Sequence, residues 1–359
     1  MPINRIIPPE NRIVPSQLGK PARASASSAP PAVPASARDL SHISLSALLP
    51  KDLRMLLVGD TGSGKTTQFG EVVEVMAMET GLPAVLFRAD KGGNLPIKPH
   101  IDAGLIVEYA YDWRIDPWIW ISHAIRGEAF IFDDPQSTEA DAPGKWVKVT
   151  TDKCLAGYEG LTAFSELLMM ELGRIGAEQP QLAVGGEAAW QYETSFAGEE
   201  LKIGGSTQSH YGLVQLRIMS EVWKADPGVP SIWTAILARA TDATGAGGIL
   251  GAMTTGKAQA GIVARWFDYT FRLNTQPQET GDARHILYLD THLDKQARGV
   301  KVIANARMPL HGGDTHPVDL KLEPADLVLA LRQLCARQGS VTGDLKARFD
   351  AARGRKTTT

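Results

Sequence analysis

At 359 residues the chain is too long for one small core and short for three domains. Its 37 Lys and Arg against 40 Asp and Glu give a formal charge of −3, which lacks the strongly basic balance of a protein clothed in nucleic acid. Cys154 and Cys335 lie too far apart for metal or redox spacing, and no run of 18 apolar residues is present to span a membrane, so a reducing cytoplasm is the compartment expected.

The chain opens on a segment unlike the rest. Pro8, Pro9, Pro15, Pro21 and an Ala-, Ser- and Pro-built run from Ala24 to Ala37 offer few apolar side chains to bury. Residues 1–40 therefore read as a disordered leader, without the continuous apolar stretch of a secretion signal. Arg54, Met55, Leu56, Leu57 and Val58 then form a short apolar run that suits a buried parallel strand.

Gly59-Asp60-Thr61-Gly62-Ser63-Gly64-Lys65-Thr66 follows at once and matches the eight-residue Walker A pattern at every fixed position. The chemistry requires that order. Gly59, Gly62 and Gly64 allow backbone angles that turn successive amides toward a β-phosphate. Lys65 brings a point charge to the β- and γ-phosphates, and Thr66 offers a hydroxyl to Mg²⁺. A helix from Thr67 to about Met78 aims its positive end at the same anion. These residues predict binding of a nucleoside triphosphate, such as ATP, with Mg²⁺.

A second strand, Ala84 to Ala89, ends at Asp90, which suits either a carboxylate that polarises an attacking water or a cap on the turn before Gly92 and Gly93. A third strand spans roughly Gly104 to Tyr111, and Asp116-Pro117 marks a helix start, a capping residue followed by proline at the first helical position. Two segments compete for the second acid of the Mg²⁺ site. Ala129 to Phe132 runs into Asp133 and Asp134, yet Pro135 and an alternating stretch from Lys145 to Val149 also read as an exposed hairpin. Cys154 to Tyr158 runs into Glu159 and directly on into an amphipathic helix from Leu161 to about Ile175, which favours Glu159. Ser231 to Leu237 makes a fifth strand, and Thr234 within it stands where a γ-phosphate sensor or an ordinary sheet threonine would sit. Glu323-Pro324 opens a last helix, with Gly339 as its stop, before a tail carrying Arg348, Arg353, Arg355 and Lys356. Alternating strands and helices predict an α/β fold, a mostly parallel twisted sheet with helices on both faces. Residues 41–322 form its core, with insertions near 130–149 and 185–204, and residues 323–359 add the C-terminal helix and basic tail.

Four segments beyond the Walker A loop resemble the RecA-type recombinase core, and especially the RecA-like phage ATPases used in single-strand annealing. Phe87-Arg88-Ala89-Asp90-Lys91-Gly92 is similar to the strand whose terminal acid is the family's catalytic base, with Asp90 in place of the usual glutamate. Tyr158-Glu159-Gly160-Leu161-Thr162-Ala163 resembles the Walker B strand, with Glu159 in place of the usual aspartate. Ser209 to Leu213, continuing through Arg217 to Lys224, resembles the helix after the first DNA-contacting loop. Thr254 to Ala258, leading to Arg265, Asp268 and Arg272, is similar to the end of the second such loop, which would be the glycine-rich stretch Asp242 to Gly256. A further strand, Lys301 to Arg307, resembles the one that reaches a neighbour's γ-phosphate, which makes Arg307 a candidate trans-acting finger.

The resemblance implies a ring or filament of identical subunits, with single-stranded DNA held between the two loops. Trp190, Tyr192, Lys202, His210, Tyr211, Arg239 and Lys257 supply aromatic faces and cations there, while Glu187, Glu193, Glu199 and Glu200 oppose phosphate. It also implies host cytoplasm as the location if the source is a phage. A replicative helicase, a genome-packaging motor, and a nucleotide-gated scaffold with little turnover are the competing functions.

Overall fold

The computed structural model describes residues 39–89, 95–139, 142–178, 192–196, 199–203, 218–241, 248–254, 262–277, 283–294, 300–305 and 318–356. Residues 1–38 of the proposed leader, Asp90, Arg307, Trp190, His210, Tyr211 and Lys257 lie outside these residues.

The first half of the chain contributes β1 (Arg54–Gly59), β2 (Ala84–Arg88), β3 (Ile106–Ala110), β4 (Glu128–Phe132), β5 (Gly144–Lys148), β6 (Ala156–Glu159), β7 (Tyr192–Phe196) and β8 (Glu199–Ile203). The second half adds β9 (Ser231–Thr241), β10 (Gly248–Ala252), β11 (Tyr269–Pro277), β12 (Ala283–Tyr288), β13 (Asp290–Asp294), β14 (Val300–Asn305) and β15 (Lys321–Leu322). The helices are α1 (Leu45–Leu48), α2 (Lys65–Thr80), α3 (Lys98–Asp102), α4 (Pro117–Ala124), α5 (Leu161–Glu178), α6 (218–224) and α7 (Leu327–Lys356).

β3, β2, β6, β9, β1 and β11 lie side by side, and every neighbouring pair among them is parallel. β12 and then β15 extend this sheet in antiparallel fashion beyond β11. The apolar runs alternate between two cores, one on each face. Met55, Leu57, Leu86 and Phe271 pack with α1, α2 and α7. Leu56, Val58, Phe87 and Trp233 pack with α4, α5 and α6. The expected α/β architecture, a mostly parallel sheet with helices on both faces, is the one observed.

An aromatic ladder crosses the second face. Tyr109, Phe87, Tyr158 and Trp233 stand on four adjacent strands as in-register partners, with centroid separations of 6.0, 5.4 and 4.0 Å. The Tyr158 hydroxyl donates to the buried C-terminal end of α4, at 3.2 Å from Ala124 O and 3.3 Å from Ile125 O. Because side chains alternate along a strand, locking Tyr158 on this face turns Glu159 to the other, where α2 lies.

α4 starts as its sequence suggests: Asp116 accepts from the amides of Trp118 and Ile119, with Pro117 at the first position. Two other expectations need correction. The stretch Asp242 to Gly256 is not one loop. Its Gly248–Ala252 forms β10, which pairs antiparallel with the part of β9 that runs past the end of β1, and so satisfies backbone groups there. Nor does Gly339 stop the last helix. α7 continues to Lys356, Gly339 has no left-handed backbone, and open space surrounds it. A glycine inside a helix costs only about 1 kcal/mol, which does not by itself end one.

Candidate functional site

Parallel strands deliver their C-terminal ends to one edge of the sheet, the usual place for a ligand crevice. Here that edge gathers Gly59 from β1, Glu159 from β6 and Thr234 from β9. β9 separates the other two strands, so Thr234 stands between the loop that follows β1 and the acid that ends β6.

The loop from Gly59 leads straight into α2. Gly62 and Gly64 have φ of 78° and 92°, the left-handed region that a side chain would disfavour. The Ser63 amide donates to Asp60 O at 3.1 Å and closes the turn. Gly64 is the N-cap of α2, no side chain caps that end, and no acidic residue stands in its first turn. The leading amides therefore face solvent with the positive end of the helix behind them, an arrangement that favours a polyphosphate.

Lys65 Nζ lies over the loop, donating to Gly59 O at 2.8 Å and Asp60 O at 2.9 Å. Burial pulls its ammonium below the usual range, while Asp60 and Glu159 pull it back up. A phosphate group arriving there would add to the second influence. Thr66 Oγ1 donates to Glu159 Oε1 at 2.6 Å. That contact depends on a close approach of α2 to β6: a Cβ on Gly157 would lie 2.5 Å from Phe69 Cζ on α2.

A cavity of about 460 Å³ opens over these residues, bounded by the loop from Thr61 to Thr67, by Glu159 and Gly160, and by Thr234 to Ile236. Thr66 and Glu159 present two hard oxygens at its floor, the ligand type that suits Mg²⁺ completed by phosphate oxygens and water. Among the described residues no cluster of three or more His, Cys, Asp or Glu could hold a metal unaided. The donor set fits Mg²⁺ delivered with a nucleotide rather than a resident ion.

Of the residues singled out in the sequence, Gly59, Asp60, Thr61, Gly62, Ser63, Gly64, Lys65, Thr66, Thr67, Glu159 and Thr234 converge on this edge. Asp90 lies outside the described residues, although β2, which precedes it, pairs Arg88 with Glu159, and the Ala89 amide donates to Glu159 O at 3.0 Å. Asp133 and Asp134 are elsewhere. β4 and β5 form a separate two-stranded hairpin, both carboxylates are exposed, and Asp134 accepts from the Gln136 amide at the turn.

Two contributors were not singled out in the sequence as site residues. Thr162 Oγ1 donates to Met253 O at 2.7 Å and accepts from the Ile236 amide at 3.1 Å, which ties the start of α5 to β9. His285 on β12 places Nδ1 3.2 Å from Ser63 O, so its N–H can donate to the loop from behind. No spacing rule could have found a contact 222 residues away.

Neither a family model nor a curated protein matches the sequence. Among solved structures, the chain is similar to a KaiC-like protein from the hyperthermophilic archaeon Pyrococcus horikoshii OT3, at 12% identity over 67% of this chain and 79% of that one, with a TM-score of 0.34. Among the described residues no helix is long and apolar enough to cross a membrane.

Proposed function

We propose that this chain is a RecA-like ATPase: it binds ATP with Mg²⁺, hydrolyses it, and acts on single-stranded DNA in phage-type recombination or strand annealing as a ring or filament of like subunits. One observation carries the nucleotide part of this reading. A Walker A loop with left-handed Gly62 and Gly64 leads into an uncapped helix whose Thr66 hydroxyl meets the acid of a neighbouring strand.

Phosphoryl transfer asks a protein mainly for position and positive charge. In this reading the amides from Gly62 to Thr66 hold the phosphates. Lys65 leaves the loop carbonyls for the β- and γ-phosphates. Thr66 and Glu159 hold Mg²⁺ and its water. When bound, Mg²⁺ neutralises charge on the phosphate oxygens. Thr234 reports the γ-phosphate, Asp90 aligns the attacking water, and Arg307 of a neighbouring subunit is the candidate finger. The roles of Asp90 and Arg307, and single-stranded DNA as partner, are supported by the family resemblance of the segments that carry them, and that of Thr234 by its place in an apolar strand bordering the phosphate cavity.

ATP hydrolysis measured with and without single-stranded DNA, beside sedimentation, tests this. Stimulation by DNA together with larger assemblies is the expected result. Unwinding of a forked duplex would point to a motor instead. Saturable nucleotide binding without turnover would point to a gated scaffold.

A further inference from the structure

A second cavity, of about 430 Å³, adjoins the phosphate loop on its far side, where Ser63, Gly64 and Thr67 form one wall. Its size lies within the range of small-molecule sites. The other walls are α2, through Gln68 and Glu71, β12, through Arg284 and His285, and the Glu323-Pro324-Ala325 turn that leads into α7. Resting on the nucleotide reading above, we propose that this cavity takes the base and ribose of the nucleotide, and that Glu71 reads the base by accepting from an exocyclic amine, which selects adenine.

The placement follows from the helix. Thr67 stands at the end of the loop, where a nucleotide's first phosphate leaves the cradle, and Glu71 is four residues further along the same face. At 1.5 Å per residue that is about 6 Å along α2, the span a ribose has to bridge. The two cavities share Ser63, Gly64 and Thr67, so one extended ligand passes from one to the other without leaving the wall.

The polar groups in this cavity are not equivalent. Gln68 is 5% exposed and fully used: Oε1 accepts from the Leu327 amide at 2.5 Å, and Nε2 donates to Glu71 Oε2 at 2.7 Å and to Ala325 O at 3.3 Å. Arg284 and Lys321 both pair with Glu323. Glu71 is different. Gln68 occupies and orients its Oε2, while Oε1 makes no hydrogen bond among the described residues. A carboxylate presenting one oriented acceptor matches a single amine donor such as adenine N6. Guanine offers two parallel donors along one edge and would call for both oxygens. Glu71 is solvent-exposed at the rim of the cavity, where partial desolvation and the nearby Asp326 raise its carboxyl, so an incoming N–H donor would favour the ionised form.

The test is a calorimetric titration of the full chain with the Mg²⁺ complexes of tripolyphosphate, ATP, GTP and purine riboside triphosphate, which is ATP without its amine. ATP should bind about tenfold tighter than the deaminated analogue and than GTP, and tighter still than tripolyphosphate, since a hydrogen bond to a charged acceptor separates them. Glu71→Met should bring ATP and the analogue within about twofold of each other and leave tripolyphosphate unchanged. Equal binding of ATP and the analogue by the wild-type chain overturns the proposal without any variant, and so does a preference for GTP. Binding of ATP no tighter than tripolyphosphate removes the base pocket but leaves the phosphate cradle standing. No binding of tripolyphosphate or ATP removes both.

Discussion

β4 and β6 are short strands of similar length, each ending against acids, and they meet different fates. β6 is buried at Ala156, Gly157 and Tyr158, lies between β2 and β9, and brings Glu159 to within 2.6 Å of Thr66. Among the described residues β4 pairs only with β5, exposes Ile131, and ends at solvated Asp133 and Asp134. What separates them is the company each strand keeps. Tyr158 fits between Phe87 and Trp233 in a ladder that fixes the register, and register decides which face the next residue takes. β4 instead packs Phe130 on Trp146 of β5 and Phe132 under Arg114 from the segment before α4, in a hairpin apart from the main sheet.

The sharpest way to break this comparison is to remove the charge both acids would have to serve. Lys65→Ala should lower ATP turnover by roughly 10²- to 10³-fold or more, read in a steady-state assay, because the proposed phosphoryl transfer depends on preorganised charge. Near-normal hydrolysis would end the phosphate-loop interpretation. The comparison itself is tested next: Glu159→Ala should cost about 10²-fold in turnover, while Asp133→Ala stays within about twofold in the matched assay. The reverse ranking would move the metal site to the hairpin.

A smaller effect probes how β6 is seated. Gly157→Ala puts a methyl 2.5 Å from Phe69 Cζ, so α2 must shift. Overpacking of this kind costs about 1–3 kcal/mol in denaturant melts, and turnover should fall with it as Thr66 moves from Glu159. A gain in stability would show that helix and strand are not in close contact. Least in size is an alkaline effect just before β6. Burial raises the Cys154 thiol from 9.0 to about 11. Between those values the unfolded chain has released a proton that the folded chain keeps, so stability falls as pH rises through this window. Urea melts at pH 8 and pH 10.5 should show the loss, and Cys154→Ala should lessen it.

How much of this was legible in the sequence varied with the range of the signal. The phosphate loop was legible because its chemistry fixes Gly59, Gly64, Lys65 and Thr66 at set spacing within eight consecutive residues. The α4 start was legible because Asp116 and Pro117 act on their own neighbours. Glu159 could be favoured over Asp133 from the helix that follows it, but the ladder that orients it joins four strands whose pairing no local pattern displays. β10 was hidden inside a glycine-rich stretch because its partner is the overhang of β9, a length set by the fold. Gly339 misled because a glycine that ends a helix and one that merely weakens it look the same without the backbone angle. His285 and Gln68 were silent for the same reason: each serves the loop or α7 across more than two hundred residues.

The central claim is that Gly59 to Thr66, backed by Glu159, forms a receptor for a magnesium-bound polyphosphate. Thermal unfolding followed across a titration of ATP with Mg²⁺ tests it most directly, for the wild-type chain and Lys65→Ala side by side. The wild-type melting point should climb without plateau as ligand rises above its dissociation constant, by the logarithmic law of binding to the native state alone, and that climb should vanish in Lys65→Ala. A melting point that ATP leaves unmoved, or moves equally in both proteins, would contradict the claim.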